Sequence, residues 1–360
     1  MPRPSRSSVT LKHIANHTGL SMMTVSRVVR ARPDVSQASR RKVLAAVRRL
    51  GYLPNPAARS LVTRTPTPTH ERIVGTLFSR EVVTSHSYFA GIIQGLTDEA
   101  RQQDAHLLFG SGLGDSEHSP EIPRMIREAM THHLILVGKL PPRFVRQLRA
   151  NGFSLVLVDM RPALREVDAI VCDDALGAYD ATRHMIALGH RKIALISGPA
   201  RHPFSQALIA GYRRALRESS IAWRDGLVVT APFGPAGGYQ AAERLLQSAL
   251  HPTAIFTNDD GAIGALRAIR DRGLAVPGEI AVVGYDDIEY AAHIAPPLTT
   301  VAVPKEEMGR LAVRRALAQM AEGDRHVYST TVVSPTLVVR ASCGVGRPAT
   351  SGIAGRRSPS

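Results

Sequence analysis

The first seventy residues hold thirteen Lys and Arg side chains (Arg3, Arg6, Lys12, Arg27, Arg30, Arg32, Arg40, Arg41, Lys42, Arg48, Arg49, Arg59 and Arg64) against a single acid, Asp34. The other 290 residues carry 32 basic and 29 acidic side chains, so most of the formal charge of +15 belongs to this head. Cations so one-sided suit a polyanion. Lys neutralises phosphate as a point charge, whereas Arg can fork onto phosphate or onto the O6 and N7 of guanine. An ordinary solvated helix would intersperse its acids.

Other chemistries find little footing. The chain has no Gly-x-Ser-x-Gly, no Walker A sequence and no His-Glu-x-x-His. Gly110-Ser111-Gly112-Leu113-Gly114 follows an apolar run, but Asp115 stands where a dinucleotide fingerprint wants another Gly. Two cysteines, Cys172 and Cys343, are too few and too far apart for a disulfide scaffold or a cysteine-built zinc site, and suit a reducing compartment. Neither a metal nor a cofactor is expected. No stretch approaches the roughly 20 apolar residues of a membrane helix. The basic start, Met1-Pro2-Arg3-Pro4, lacks the apolar core of a signal peptide, so a cytoplasmic protein is expected. With 44% hydrophobic and 21% charged residues over 360 positions, two or three folded domains can be built.

The head reads as three helices. Thr10 is positioned to cap a helix through His17 whose face carries Leu11, Ile14 and Ala15. Gly19 breaks it and Ser21 can cap the next, Met22 to Arg30, with Val25, Val28 and Val29 inward. Ser36 opens a third, Gln37 to Leu50, with Val43, Leu44, Val47 and Leu50 inward and Gly51 as its stop. Two short helices about a glycine turn, then a third, describe a helix-turn-helix. A generic three-helix bundle has the same periodicity, and the charge separates the two. Residues 63–70, Thr-Arg-Thr-Pro-Thr-Pro-Thr-His, are a linker by composition.

Beyond the linker, strand and helix alternate. Buried strands are predicted at residues 73–78, 106–109, 134–137, 155–158, 169–172, 192–196, 226–229, 254–257 and 280–283. Helices are predicted at 89–103, 120–131, 142–151, 177–188, 205–219, 237–248 and 261–272. Nine strands exceed one normal sheet, so the expected class is an all-α helix-turn-helix head followed by an α/β core of two parallel-sheet lobes. The chain is divided as 1–54 (head), 55–71 (hinge and linker), 72–341 (core) and 342–360 (disordered tail, rich in Gly, Ser, Pro and Arg).

Several stretches carry a resemblance. Val9-Thr10-Leu11-Lys12-His13-Ile14-Ala15, Gly19-Leu20-Ser21, Thr24-Val25-Ser26-Arg27-Val28 and Gly51-Tyr52-Leu53-Pro54-Asn55 resemble the head of the LacI/GalR regulators. Ala187-Leu188-Gly189-His190, Asn258-Asp259, Val282-Val283-Gly284-Tyr285-Asp286-Asp287 and Pro297-Leu298-Thr299-Thr300 match later parts in order. The resemblance implies a homodimeric transcription regulator, in all expectation a repressor, that binds a pseudo-palindromic DNA operator and has no membrane partner. It also implies a periplasmic-binding-protein-like core of type I with a small effector held between its lobes. By matching position, Met22 and Met23 occupy the sites that set operator preference, with Ser26, Arg27 and Arg30 behind them. Leu11, Lys12, Ser21, Ser36, Ser39, Tyr52 and Asn55 are the further DNA-binding candidates. The segment from Asn55 matches a hinge helix, in which Ala58 allows close approach to the partner hinge and Leu61 would wedge between base steps. Core packing is the competing use of the two methionines, phosphate contact that of Arg27.

For the effector, the resemblance selects Asp159, Phe233, Asn258, Asp286 and the segment 303–308. Asn and Asp at the ends of parallel strands can bind ligand hydroxyls, although each also has a plain use as a turn or helix cap. One position departs: where relatives often carry an arginine three residues before Gly211, this chain has Leu208. Lys139, Arg143, Arg161, Arg201, His202 and Lys305 are candidates for the missing charge. Val303-Pro304-Lys305-Glu306-Glu307-Met308-Gly309 resembles the gluconate-type branch, which adds a sugar acid to the expected sugars. A sugar-binding receptor without DNA function is the alternative that shares the core fold.

Overall fold

The computed structural model describes residues 9–29, 34–50, 52, 72–79, 86–113, 123–128, 130–162 and 164–344. The expected hinge residues Asn55, Ala58 and Leu61, together with Arg30, Gly51 and residues 345–360, lie outside that set.

The head forms α1 (Leu11–Thr18), α2 (Met22–Val29) and α3 (Gln37–Leu50). Thr10 and His13 make a reciprocal cap: the Thr10 hydroxyl accepts from the His13 N–H, and His13 Nδ1 accepts from the Thr10 N–H at 3.1 Å. Gly19 closes α1 with φ +64°, a left-handed conformation that costs glycine nothing. Ser21 and Ser36 cap the next two helices by accepting from the Thr24 and Ser39 N–H groups. Ile14, Ala15, Val25, Val28, Val43, Ala46 and Tyr52 form the core. Val29, Leu44, Val47 and Leu50, expected inward, pack at its margin. Ala46 is buried because its small side chain lies on the same stripe as Val43, three residues earlier.

The chain divides into two compact units: Met1–Val171 with Lys305–Val332, and Cys172–Pro304 with Val333–Ser360. In the first, a six-stranded sheet has the order β11-β5-β4-β3-β1-β2. Its strands are β1 (Ile73–Ser79), β2 (His106–Leu113), β3 (His133–Val137), β4 (Ser154–Val158), β5 (Asp168–Cys172) and β11 (Thr330–Val333). The pairs among β1 to β5 are parallel. The helices are α4 (His86–Gln102), α5 (Arg124–Arg127) and α6 (Pro142–Ala150), and, from beyond the second unit, α11 (Lys305–Glu322). Leu136, Phe144, Leu148, Phe153, Leu155 and Leu157 lie in its core, each worth about 1.5–3 kcal/mol on full burial. The buried Asp168 carboxylate anchors the late-arriving segment, accepting from the Ser329 N–H at 2.8 Å and from Gln319 Nε2 at 2.7 Å, with His326 Nε2 at 2.6 Å.

The second unit is ordered β12-β10-β9-β8-β6-β7. It consists of β6 (Ile193–Ser197), β7 (Val228–Thr230), β8 (Ala254–Phe256), β9 (Ala281–Asp286), β10 (Thr299–Ala302) and β12 (Thr336–Val338), with α7 (Asp174–Ala187), α8 (Pro203–Glu218), α9 (Pro235–Gln247) and α10 (Asp259–Asp271). Its pairs are parallel except β10 with β12, which is antiparallel.

Two lobes of mainly parallel sheet are therefore present, with corrections in detail. Strands β10, β11 and β12 and helix α11 escape the sequence reading. The strands are short and threonine-rich, and α11 buries mostly small residues (Gly309, Ala312, Ala316) beneath many charges. The helix predicted over 120–131 is only Arg124–Arg127 among the described residues. Gly226, predicted to start a strand, lies in a 3-10 turn instead, and β7 follows it. Both cysteines are buried, and neither forms a disulfide. Among the described residues, no helix is long and apolar enough to cross a membrane.

His133, first in β3, has a buried Nδ1 without a hydrogen-bond partner, and burial, helped by the neighbouring His132, pushes its pKa down to about 4. Its neutral form is thus favoured in the fold, while the unfolded chain takes up a proton near 6.5. Stability is fully present above pH 6.5 and is lost as pH falls towards 4, by about 3 kcal/mol from this group. Denaturant titrations at several pH values should show His133→Leu flattening that decline relative to wild type; parallel declines would exclude His133 as the cause.

Candidate functional site

On the head, α2 presents its first turn to solvent. Met22 is 54% and Met23 66% exposed, which removes them from the core already filled by Val25 and Val28. Arg27, one turn beyond Met23, is exposed, and Ser26 is half-buried beside it. Lys12 and Ser36 are exposed, Leu11 and Ser39 half-buried. Ser21 spends its oxygen on the α2 cap, and its hydroxyl pairs with Thr24 at 2.9 Å. Tyr52 is buried in the head core, where its ring supports the helices. The exposed group can do two things. Arginine can fork onto a base or phosphate, whereas a thioether can only pack against an apolar base edge such as a thymine methyl.

In the first unit, Asp159 follows β4 with φ +61°, its N–H held by the Ile170 carbonyl at 3.0 Å. The Tyr88 hydroxyl donates to its Oδ1 at 3.3 Å. The Lys305 ammonium, at the start of α11, lies 6.0 Å from the Tyr88 ring centre. A carboxylate, a phenol and an ammonium thus gather at one strand end, a set able to pair with hydroxyl or anionic groups. Lys139 is exposed just after β3. Ser79, last in β1, buries a hydroxyl with no hydrogen-bond partner.

The second unit reverses its strand order between β6 and β8, the place where open α/β sheets take ligands. Gly198 follows β6, and Phe233 lies across it so closely that a Cβ there would fall 2.1 Å from the ring. His202 stands edge-on to Phe233 at 5.0 Å; Phe204 lies 6.1 Å from Phe233 and 5.1 Å from Tyr285. Asn258 takes the N-cap position of α10 just beyond β8 without a side-chain capping bond, and Asp286 ends β9 with φ +113°. Below them the fully buried Asp259 accepts from the Ile288 N–H at 2.9 Å and the Thr300 hydroxyl at 2.6 Å, fixing the turn that carries Asp286. Aromatic faces beside an amide and a carboxylate suit a ring that is apolar on its faces and hydroxylated at its rim. Leu208 is 1% exposed and belongs to the buried side of α8.

Tyr88, Ser79 and Phe204 were not singled out in the sequence. Tyr88 and Phe204 each stand one residue before a predicted helix, and an orphaned hydroxyl becomes visible only in three dimensions. Among the described residues, no three His, Cys, Asp or Glu side chains gather as a metal site.

A basic three-helix head on two mainly parallel α/β units is the construction of a ligand-responsive DNA regulator. Residues 10–55 match the bacterial regulatory proteins of the lacI family, and residues 182–343 the periplasmic binding protein-like domain. The ribose operon repressor of Haemophilus influenzae is 33% identical over 92% of this chain and 98% of its own length. The solved complex of the transcriptional regulator CelR with cellobiose aligns with TM-score 0.67 and 28% identity, covering 93% of this chain and 99% of that one. The lac repressor dimer bound to operator and the anti-inducer ONPF aligns with TM-score 0.66 and 27% identity, over 94% of this chain and 99% of that one. The chain belongs to the lacI family of bacterial regulatory proteins. These matches do not single out a gluconate-type branch.

The buried Asp259 gives a direct test of the second site. Asp259→Ala should orphan two buried donors and lower stability by about 2–4 kcal/mol. Because Asp286 loses its support, binding of any sugar found to act as effector should also weaken. Thermal melts and calorimetric titrations would show this; wild-type values in both would remove Asp259 from the account.

Proposed function

We propose that the protein is a sequence-specific DNA-binding repressor, acting as a homodimer on a pseudo-palindromic operator, with its operator affinity set by a small sugar or sugar-acid effector. The observation that carries the reading is the exposure of Met22, Met23 and Arg27 on the second helix of a head with one acid among its cations. The ribose operon repressor, the cellobiose complex and the operator-bound lac repressor dimer support it from three sides: repression, sugar binding, and dimeric contact with DNA. The same relatives support a regulator rather than an enzyme, working in the cytoplasm.

In this reading residues 1–54 bind DNA, 55–71 form the hinge and linker, and 72–341 hold the effector and the dimer contacts. Met22, Met23, Ser26, Arg27 and Arg30 read bases, and Asn55, Ala58 and Leu61 enter the minor groove. Effector-contacting groups, each unit taken by itself, are Asp159, Lys139 and Lys305, joined by Tyr88, in the first and Phe233, Asn258 and Asp286 in the second. With Leu208 where relatives often carry an arginine, the cationic candidates are Lys139 and Lys305.

Footprinting on the DNA flanking the protein's own gene, with and without ribose, cellobiose and sugar acids, tests the whole reading. If a dimer meets about 8–12 phosphates, log K should fall against log[salt] with a slope of roughly −7 to −11. A slope shallower than about −3 would show that the basic head is not the binding surface. Met23→Gln should change the preferred base at one symmetric pair of operator positions, a change of about 1–3 kcal/mol per bidentate contact, with dimerisation untouched. Identical motifs selected from random duplexes by both proteins would remove Met23 from the reading surface.

A further inference from the structure

The only acid in the first seventy residues makes an ion pair with a base-reading candidate. Asp34 Oδ2 lies 3.2 Å from Arg27 Nη1, and the two side chains are 55% and 50% exposed. Asp34 comes just before α3, and Arg27 is on α2, so the contact ties the reading helix to the entry of the next one. An exposed pair of this kind adds little to stability. Placing a carboxylate where phosphates must approach also weakens DNA binding in general. Neither stability nor affinity accounts for an anion at this place, whereas geometry does.

An arginine reads guanine only when its planar fork is presented edge-on, and a free side chain must give up rotamer freedom to achieve that. A carboxylate on Nη1 takes one side of the fork and restrains the rotation of the rest, leaving the other N–H groups for a base, one helical turn from Met23. When the base opposite is right, the preset fork binds at reduced entropic cost. When it is wrong, the protein is left with a neutralised arginine and a carboxylate facing phosphate, so that mismatched DNA gains less from Arg27 than it would from a free cation.

We propose that Asp34 is a positioning and specificity-determining residue of the DNA-reading surface, which holds the Arg27 guanidinium for one operator base and weakens binding to DNA that lacks it. The inference rests on the DNA-binding reading above. In the full chain, Asp34→Asn keeps the shape and removes the charge. It should raise affinity for random duplex about three- to tenfold and steepen its salt slope by about one per head. The ratio of operator to random binding should fall about tenfold or more, and motifs selected from random duplexes should lose preference at one symmetric pair of positions. Arg27→Lys, which keeps the charge and loses the fork, should flatten the same positions, and combining both changes should add nothing further there. Melting curves of each variant establish that the head stays folded; if Asp34→Asn does not, Arg27→Lys and Asp34→Glu, which should restore most of the preference, carry the test. Equal gains on operator and random DNA with an unchanged motif would make Asp34 a bulk charge and overturn the proposal. No change on either DNA would overturn it too. A wild-type chain that selects no motif would overturn the DNA-binding reading and this inference with it.

Discussion

Parallel strand pairing is the constraint on which both units depend. A parallel strand cannot return to its neighbour through a tight turn; each needs a crossover, and the helices of those crossovers cover both faces of the sheet. All the parallel strands therefore end at one edge, where the backbone must leave the sheet and where polar side chains can remain without breaking an apolar layer. Asp159, Asn258 and Asp286 lie at or just beyond such ends. Two of them, Asp159 and Asp286, have positive φ, a strained backbone that the surrounding hydrogen bonds hold in place. The buried Asp259 beneath Asp286 shows how that holding is done: one carboxylate satisfies an amide and a hydroxyl from two different segments.

The head is organised by a different principle. Helices of 8, 8 and 14 residues are too short to persist alone, and a small core of valines, alanines and Ile14 holds them together. Its surface charge is almost entirely positive, and the caps use uncharged Thr10, Ser21 and Ser36 where acids would serve as well. That choice keeps anions away from the face that phosphate must reach.

Much of this was readable from the residues. The serine caps, Gly19 and the valine stripe fixed the head helices to within a residue or so, because capping and periodicity are local. The count of strands forced two sheets. The elements that escaped are those whose formation is decided by tertiary partners: α11, whose buried stripe is small-residued, and β10 to β12, too short and threonine-rich to announce themselves. The strand-end acids were legible as ligand-binding candidates through the family resemblance, but their support was not. Nothing in the spacing of Asp259 to Thr300, or of Tyr88 to Asp159, foretells a hydrogen bond. Leu208 shows the limit of positional matching, since a buried leucine stands where a charged contact is common among relatives.

The first unit is built from two stretches of chain, with the whole of Cys172–Pro304 between them. During synthesis, β4 and β5 emerge long before α11 and β11, which pack on and pair with this sheet. At about 5–20 residues per second, the intervening 133 residues keep the ribosome busy for on the order of ten seconds or more. Throughout that interval, β5 offers an unpaired edge, and the apolar faces later covered by α11 are bare. The nascent regulator is therefore most vulnerable to aggregation at the moment its basic head has already emerged. Its yield in the cell depends on shielding of a half-built sheet as much as on the stability of the finished one.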